Sequence, residues 1–330
     1  MNTLKNQKKR SHTVLSVLSE YACLAVLLIT ILSASVLAPK FFSLVNLMNI
    51  LKQGAVVSIV AIGMGYVLIS GCMDLSVGVN MAICSIVSVV LQPYMGAAGA
   101  IVCALMTGIL ISMCNFTVIL AAKARAIEIM MITFGLKMLY RGLAQALTRN
   151  VVFRGQTSDF FRMLGKGKFL GEFPNIALIM IVLAVILGIL LSYSLFGRRV
   201  VCVGNNPEAS RLSGISISKT RLGCFLISGI CCGIAGILLA SRTGAVKALS
   251  GDGYEMDAMC GLVIGGYAVF GGFGSVWRAI IGVFVYSAIS NVLNLLGVDA
   301  YGQQLAQGII LLLAVWTDVY LRNMRAGGKL

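Results

Sequence analysis

The sequence predicts an all-α integral membrane protein of about ten transmembrane helices with both termini on the cytoplasmic side. Three observations carry that prediction. Of 330 residues, 59% are hydrophobic and 11% charged, where a soluble domain carries about a quarter charged residues, and the mean hydropathy is +0.96. The apolar residues fall in charge-free runs near the roughly 20 residues that a helix needs to cross hydrocarbon. The 26 Lys and Arg, against 11 Asp and Glu, sit mostly between those runs. The formal charge of +15 does not mark a nucleic-acid surface, because the cations form short clusters without interleaved aromatics. Residues 1–330 read as one transmembrane domain: a basic cytoplasmic tail (1–13), an external loop (148–173), a polar cytoplasmic loop (197–221) and no large soluble part.

The spans follow in order, because a charge at the bilayer centre costs on the order of 3 kcal/mol. Residues 21–39 form the first, a retained helix that lies too far beyond Lys5, Lys8, Lys9 and Arg10 for a cleaved signal. The second is 53–73. Residues 75–122 are too long for one helix, and Gln92-Pro93-Tyr94 is the natural break, giving spans three and four. The fifth, 127–147, is interrupted by Glu128, Lys137 and Arg141. At about 100° per residue, Glu128 and Lys137 fall on opposite faces and cannot pair within this helix. Five further runs follow: 173–197, 222–241, 258–277, 279–298 and 300–317. With both ends inside, fifteen Lys and Arg lie on the inner side and nine on the outer, as retained cytoplasmic charge requires. Five of the outer nine lie between Arg149 and Lys168, an exception to the rule.

The ten cysteines form no CxxC or metal-ligand spacing and read as small apolar packing residues. His12, in the basic tail, is the sole histidine, so no histidine metal site or catalytic triad can be assembled, and no catalytic or metal residue is assigned. No GxxxxGK[ST] occurs, so the chain has no P-loop of its own.

Two segments are too polar and too specific to be mere connectors, and a third region is rich in glycine. Ser70, Gly71, Asp74, Ser76 and Gly78 place one carboxylate, two hydroxyls and two glycines between apolar spans, and Asp74 is the only charge between Gln53 and Ala122. The segment is either a broken helix beside a polar route through the membrane, or a turn in which Asp74 caps the helix beginning at Leu75; both can hold. In the inner loop, Asn206-Pro207-Glu208 is a helix-start signal and Gly214 a stop. This predicts a surface helix of about two turns with Glu208 and Arg211 exposed. Between Gly261 and Gly274 lie six glycines: Gly265 and Gly266 read as helix packing, and Gly271-Gly272-Phe273-Gly274 as a break or turn that also lets helices approach.

These residues resemble a known family. Phe41-Phe42-Ser43 with Asn46 and Asn49, Ala61-Ile62-Gly63-Met64, and Ser70 to Gly78 ending Asp-Leu-Ser-Val-Gly closely resemble the permease subunits of monosaccharide ATP-binding-cassette importers of the ribose, galactose, xylose and autoinducer-2 type. The likeness continues through Gly204 to Ile215, Gly253-Tyr254-Glu255-Met256-Asp257, Ile264-Gly265-Gly266 with Gly271-Gly272, and Asn291 to Val298. It departs from the family pattern at Cys72-Met73, where Gly-Ile is common, and at the bulkier Tyr267.

The resemblance implies a pore-forming subunit of the bacterial cytoplasmic (inner) membrane, paired with a second permease copy or a sister permease and embedded in membrane lipid. Two cytoplasmic ATPase subunits would dock on a helix carrying Asn205, Asn206, Glu208, Arg211, Leu212 and Gly214, and an extracytoplasmic sugar-binding protein would deliver the solute. The chain itself would bind no cofactor and no nucleic acid, ATP being used by the partner. Ser70, Gly71, Asp74, Ser76 and Gly78 would belong to the translocation path, and Gly265, Gly266, Gly271 and Gly272 to helix packing. Within the superfamily a permease for branched-chain amino acids or nucleosides is the nearest rival. An ion-coupled secondary transporter would need ionisable residues deep in several spans, and only 127–147 offers a cluster. An intramembrane enzyme would need a nucleophile with a base, or paired acids, at one depth.

Overall fold

The computed structural model describes residues 41–154, 158–169, 171 and 173–325, so the predicted first span and the basic tail lie outside it. The described residues form α1 (Leu44–Ile69), α2 (Val77–Val90), α3 (Gln92–Ala121), α4 (Ala126–Thr148), α5 (Asp159–Lys166), β1 (Lys168–Phe169), β2 (Phe173–Pro174), α6 (Asn175–Tyr193), α7 (Leu195–Asn205), α8 (Pro207–Leu212), α9 (Ile217–Thr243), α10 (Tyr254–Ile264), α11 (Val276–Leu295) and α12 (Ala300–Arg325). The only sheet among them is the antiparallel pair β1–β2. The chain is an all-α membrane protein, and α1, α3, α6, α9 and α11 are each long and apolar enough to cross a bilayer.

The spans predicted elsewhere differ for physical reasons. Leu91 separates α2 from α3, as Gln92-Pro93 foretells, but α2 has 14 residues, roughly 21 Å at 1.5 Å per residue, too short for hydrocarbon about 30 Å thick. Residues 127–147 do lie in one helix, α4. The run 258–277 is not one helix. α10 stops at Ile264, the backbone turns through 265–275 with Gly266, Gly271 and Gly272 at φ of 77°, 90° and 84°, and Trp277 already belongs to α11. An apolar run need not be helical: here part of it is a turn in which Gly265, Tyr267 and Gly272 are buried, Phe270 and Phe273 are exposed, and the N–H groups of Gly265, Gly266, Tyr267, Ala268, Gly271 and Gly272 bond to carbonyls of the protein. The predicted span 173–197 is likewise two helices: Ser194 takes extended backbone, and its hydroxyl accepts from Gly197 N–H (3.0 Å) to start α7.

The core centres on α1 and α9. The apolar stretch of α1 is 83% buried, that of α3 only 28%, so α1 is an inner helix and α3 lies at the periphery. α1 and α9 run antiparallel: Gly63 meets Ser228 and Cys231, and Cys72 lies near Arg221. Where α3 crosses α9, Gly108 and Gly229 face each other, and a β-carbon on either would overlap the other's carbonyl. Small residues of this kind let membrane helices pack by dispersion, since lipid offers no hydrophobic drive between them. The order of elements repeats. A long helix, an irregular segment, a short helix and a long helix occur in α1–α2–α3 and again in α9–α10–α11.

Candidate functional site

α1 ends because Ser70 turns its hydroxyl back to the Val67 carbonyl (2.7 Å) and Gly71 takes φ 79°. Met73 and Leu75 meet one hydroxyl of α4: Thr133 Oγ1 accepts from Leu75 N–H (3.3 Å) and shares its proton between the Met130 carbonyl of its own helix (3.0 Å) and the Met73 carbonyl (3.3 Å). Asp74 Oδ1 then accepts from the Ser76 N–H (2.9 Å) and the Ser76 hydroxyl (2.7 Å), and Asn115 Nδ2 of α3 donates to the Ser76 hydroxyl (2.7 Å). The helix so started begins at Val77, two residues after the predicted Leu75, with Ser76 as its N-cap. Ser70, Asp74 and Ser76 are at most 1% exposed. Within this chain they form the packed frame of the break and do not face an open lumen. Gly78 is also buried, because its missing β-carbon leaves room for the Glu255 carboxylate and the Gly251 carbonyl.

The three singled-out segments converge on this break. Gly272 N–H donates to the Ile69 carbonyl (2.8 Å), Asn205 Nδ2 donates to the Gly272 carbonyl (3.2 Å), and a β-carbon on Gly271 would lie 2.6 Å from Gly71 Cα. Gly204 stacks directly on the Ile69 carbonyl, where any side chain would overlap it. Gly271 and Gly272 therefore both turn the chain and allow close approach. Gly265 ends α10 and abuts the Arg278 carbonyl, whereas Gly266 has open space beside its α-carbon and serves the turn alone, against the packing role predicted for it.

The inner surface helix forms as its signal predicts, but as the six residues of α8. Asn206 accepts from Ala209 N–H (2.9 Å), Pro207 opens the helix, and Gly214 follows at φ 79°. Asn205 is not part of it; it is the last residue of α7, facing the glycine turn. Leu212 is 77% exposed. Glu208 and Arg211 pair at 2.6 Å in the open, and the guanidinium holds the Glu208 carboxyl below its ordinary range. α7 thus connects an exposed surface handle to the buried break.

A charge cluster escaped the sequence reading. Lys137 of α4 pairs with Glu255 at the start of α10, 118 residues away, and both side chains are buried. One helical turn on, Arg141 binds Asp252 through two bonds of 3.1 Å. Glu255 Oε2 has no hydrogen-bond partner and lies against Gly78, so the start of α2 abuts a buried ion pair. Asp257 accepts from the Tyr286 hydroxyl (2.6 Å) and Gln307 Nε2 (2.9 Å), tying α10 to α11 and α12. The signal available was the acid pair in Gly253-Tyr254-Glu255-Met256-Asp257 together with cations in span five that had no partner in their own helix. No group of His, Cys, Asp and Glu suited to a metal occurs among the described residues.

Comparison with known proteins agrees along the chain. The family model described as branched-chain amino acid transport system / permease component matches residues 46–315. The ribose import permease protein RbsC of Bacillus subtilis is 32% identical over 327 residues, covering 96% of this chain and 97% of that protein. RbsC of Escherichia coli K12 is 33% identical over 306 residues (91% and 94%), and the xylose transport system permease protein XylH of the same organism 31% over 339 (84% and 86%). No solved structure matches. With the family matched over residues 46–315, both break segments included, the chain belongs to this family of transport-system permeases and is a multi-pass membrane protein of that kind.

Proposed function

We propose that the chain is the pore-forming subunit of an ATP-driven importer for a monosaccharide or similar small polar solute in the bacterial cytoplasmic membrane. Ten spans with both termini cytoplasmic, a second permease copy or sister chain, a cytoplasmic ATPase dimer and an extracytoplasmic binding protein complete the assembly. The observation that carries the sugar reading is the near full-length similarity to permeases named for ribose and xylose. The family description also names branched-chain amino acids, which makes them the second substrate class to test.

The mechanism is transport without covalent chemistry. ATPase closure pushes on α8, and α7 passes the motion to Ile69, Gly71 and Gly272 through the Asn205 bond and the Gly204 contact. Ser70, Gly71, Asp74, Ser76 and Gly78 act on the path by holding the break in shape, since a buried irregular backbone needs every polar group bonded inside the protein. Specificity rests mainly with the binding protein, because tight binding inside the permease would slow release.

The test is affinity purification of the tagged chain from its native host in mild detergent, with partners identified by mass spectrometry, beside uptake of labelled pentoses, hexoses and branched-chain amino acids. An ATP-binding-cassette ATPase in the eluate and uptake of one sugar are expected. A well-folded chain recovered without any ATPase would overturn the assembly, and uptake of amino acids alone would overturn the substrate class.

A further inference from the structure

We infer that a cavity between the first turns of α1, the end of α5 and the end of α9 is a phosphate-binding site at the bilayer surface, occupied by the headgroup of an anionic phospholipid. The cavity measures about 440 Å³ and is lined by Asn49, Lys52, Gln53, Gly165, Lys166 and Arg242. Three of the six are cations, and no Asp or Glu lines it. All three belong to the positive charge that the sequence places on the outer side, including one from the Arg149 to Lys168 group that breaks the usual bias.

The cations are brought together by specific packing. Ser241 donates its hydroxyl to the Phe161 carbonyl and accepts from the Gly165 N–H (2.7 Å). Gly165 is buried, and a β-carbon there would overlap the backbone of Ser241 and Arg242. α5 therefore lies flush on the end of α9, which puts Lys166 over the Gly244 turn and on the same cavity wall as Arg242. Lys52 closes the site from α1. Three cations make the recess electropositive, although Arg242 also bonds the Tyr254 side chain, and Lys and Arg together suit a phosphate: a point charge and a planar fork onto its oxygens. The amides of Asn49 and Gln53 can serve ester or headgroup hydroxyl oxygens.

The surroundings favour a lipid as the source of that phosphate. Phe42, Leu44 and Val45, just before the cavity residues of α1, and Phe160 and Met163 of α5 are exposed apolar side chains. A polar cationic recess bordered by exposed apolar residues is the pattern of the headgroup level, where basic pockets between helices take anionic lipid. The inference does not depend on which solute the chain carries.

The test uses the purified full chain in detergent, titrated with phosphatidylglycerol or phosphatidylcholine and read by native mass spectrometry, with K52M, K166M and R242M alongside. One phosphatidylglycerol retained per chain in clear preference to phosphatidylcholine is expected, with each substitution lowering retention about fivefold, the worth of one cation near an anionic surface. K52R should retain the lipid, which separates lost charge from lost fold. Equal retention of the two lipids by the unmodified chain, or unchanged retention in all three variants, would overturn the site. A calorimetric arm with inorganic phosphate identifies the source: tight phosphate binding without lipid retention would overturn the lipid and leave a free oxyanion as the ligand.

Discussion

The two helix breaks of the core are built by opposite means. The first, residues 70–76, contains one glycine at positive φ and is held by side chains: Asp74 on Ser76, Asn115 on Ser76, and Thr133 on Met73 and Leu75. The second, residues 265–275, has three glycines at positive φ and is held mainly by backbone bonds, Tyr267 N–H to Leu262, Ala268 N–H to Phe273 and Gly272 N–H to Ile69. A side-chain frame fails when a polar group is removed, and a backbone frame fails when a methyl group is added. The first frame is also tied to charge, since the start of α2 rests on the Lys137–Glu255 pair.

That contrast orders the experiments. The largest effect is expected from Lys137→Met, which leaves Glu255 as an uncompensated buried carboxylate at a cost of about 3–5 kcal/mol; thermal unfolding in detergent and yield from the membrane measure it. The double variant Lys137→Met with Glu255→Gln should recover most of the loss, and no recovery would mean that the pair does not support the first break. Asp74→Ala strips the N–H and hydroxyl of Ser76 of their acceptor, at about 1–3 kcal/mol for each unsatisfied buried group, and should abolish uptake. Uptake near wild type at equal expression would remove Asp74 from both framing and path. In the second break, Gly271→Ala adds backbone overlap with Gly71 to strain at positive φ, whereas Gly266→Ala meets open space. The first should cost several times the second, which is limited to roughly 1–3 kcal/mol of conformational strain. Equal melting temperatures for the two would show that φ alone matters and that Gly271 does not pack on Gly71. The smallest effect on stability belongs to Glu208→Arg on α8, where an exposed pair contributes little. Its melting temperature should match wild type while recovery of the ATPase falls, and undiminished recovery would count against a coupling role for this helix.

How far each part was legible follows from the range of the forces involved. The turn at Gln92-Pro93, the cap at Asn206 and the stop at Gly214 are local, and each stands within a residue or two of its signal. The span 258–277 misled because hydropathy reports burial and not conformation. Its interior is apolar, but glycines at positive φ turn the backbone out of the helix, where the N–H groups of Tyr267, Ala268 and Gly272 bond to carbonyls of Leu262, Phe273 and Ile69. Asn205 read as part of the surface helix because it adjoins the cap in sequence, while its amide in fact reaches Gly272. Glu128 and Lys137 of span five do not pair with each other, as their spacing predicts, but nothing local could name Glu255 or Asp252 as the partners of Lys137 and Arg141.

The sequence by itself determined the solvent this protein lives in, the long apolar helices, the break after Ser70, the turn at Gln92-Pro93 and the cap of the inner helix. Hydropathy, proline, glycine and capping residues act within a few positions of where they stand, so composition and spacing are sufficient. Only the tertiary structure decided that Ile69, Gly71, Gly204, Asn205, Gly271 and Gly272 form one joint, that Lys137 answers Glu255, and that Lys52, Lys166 and Arg242 share a cavity. Those pairings join residues far apart in the chain. The buried bonds among them form because a polar or charged group taken out of water gains most from a partner inside the fold.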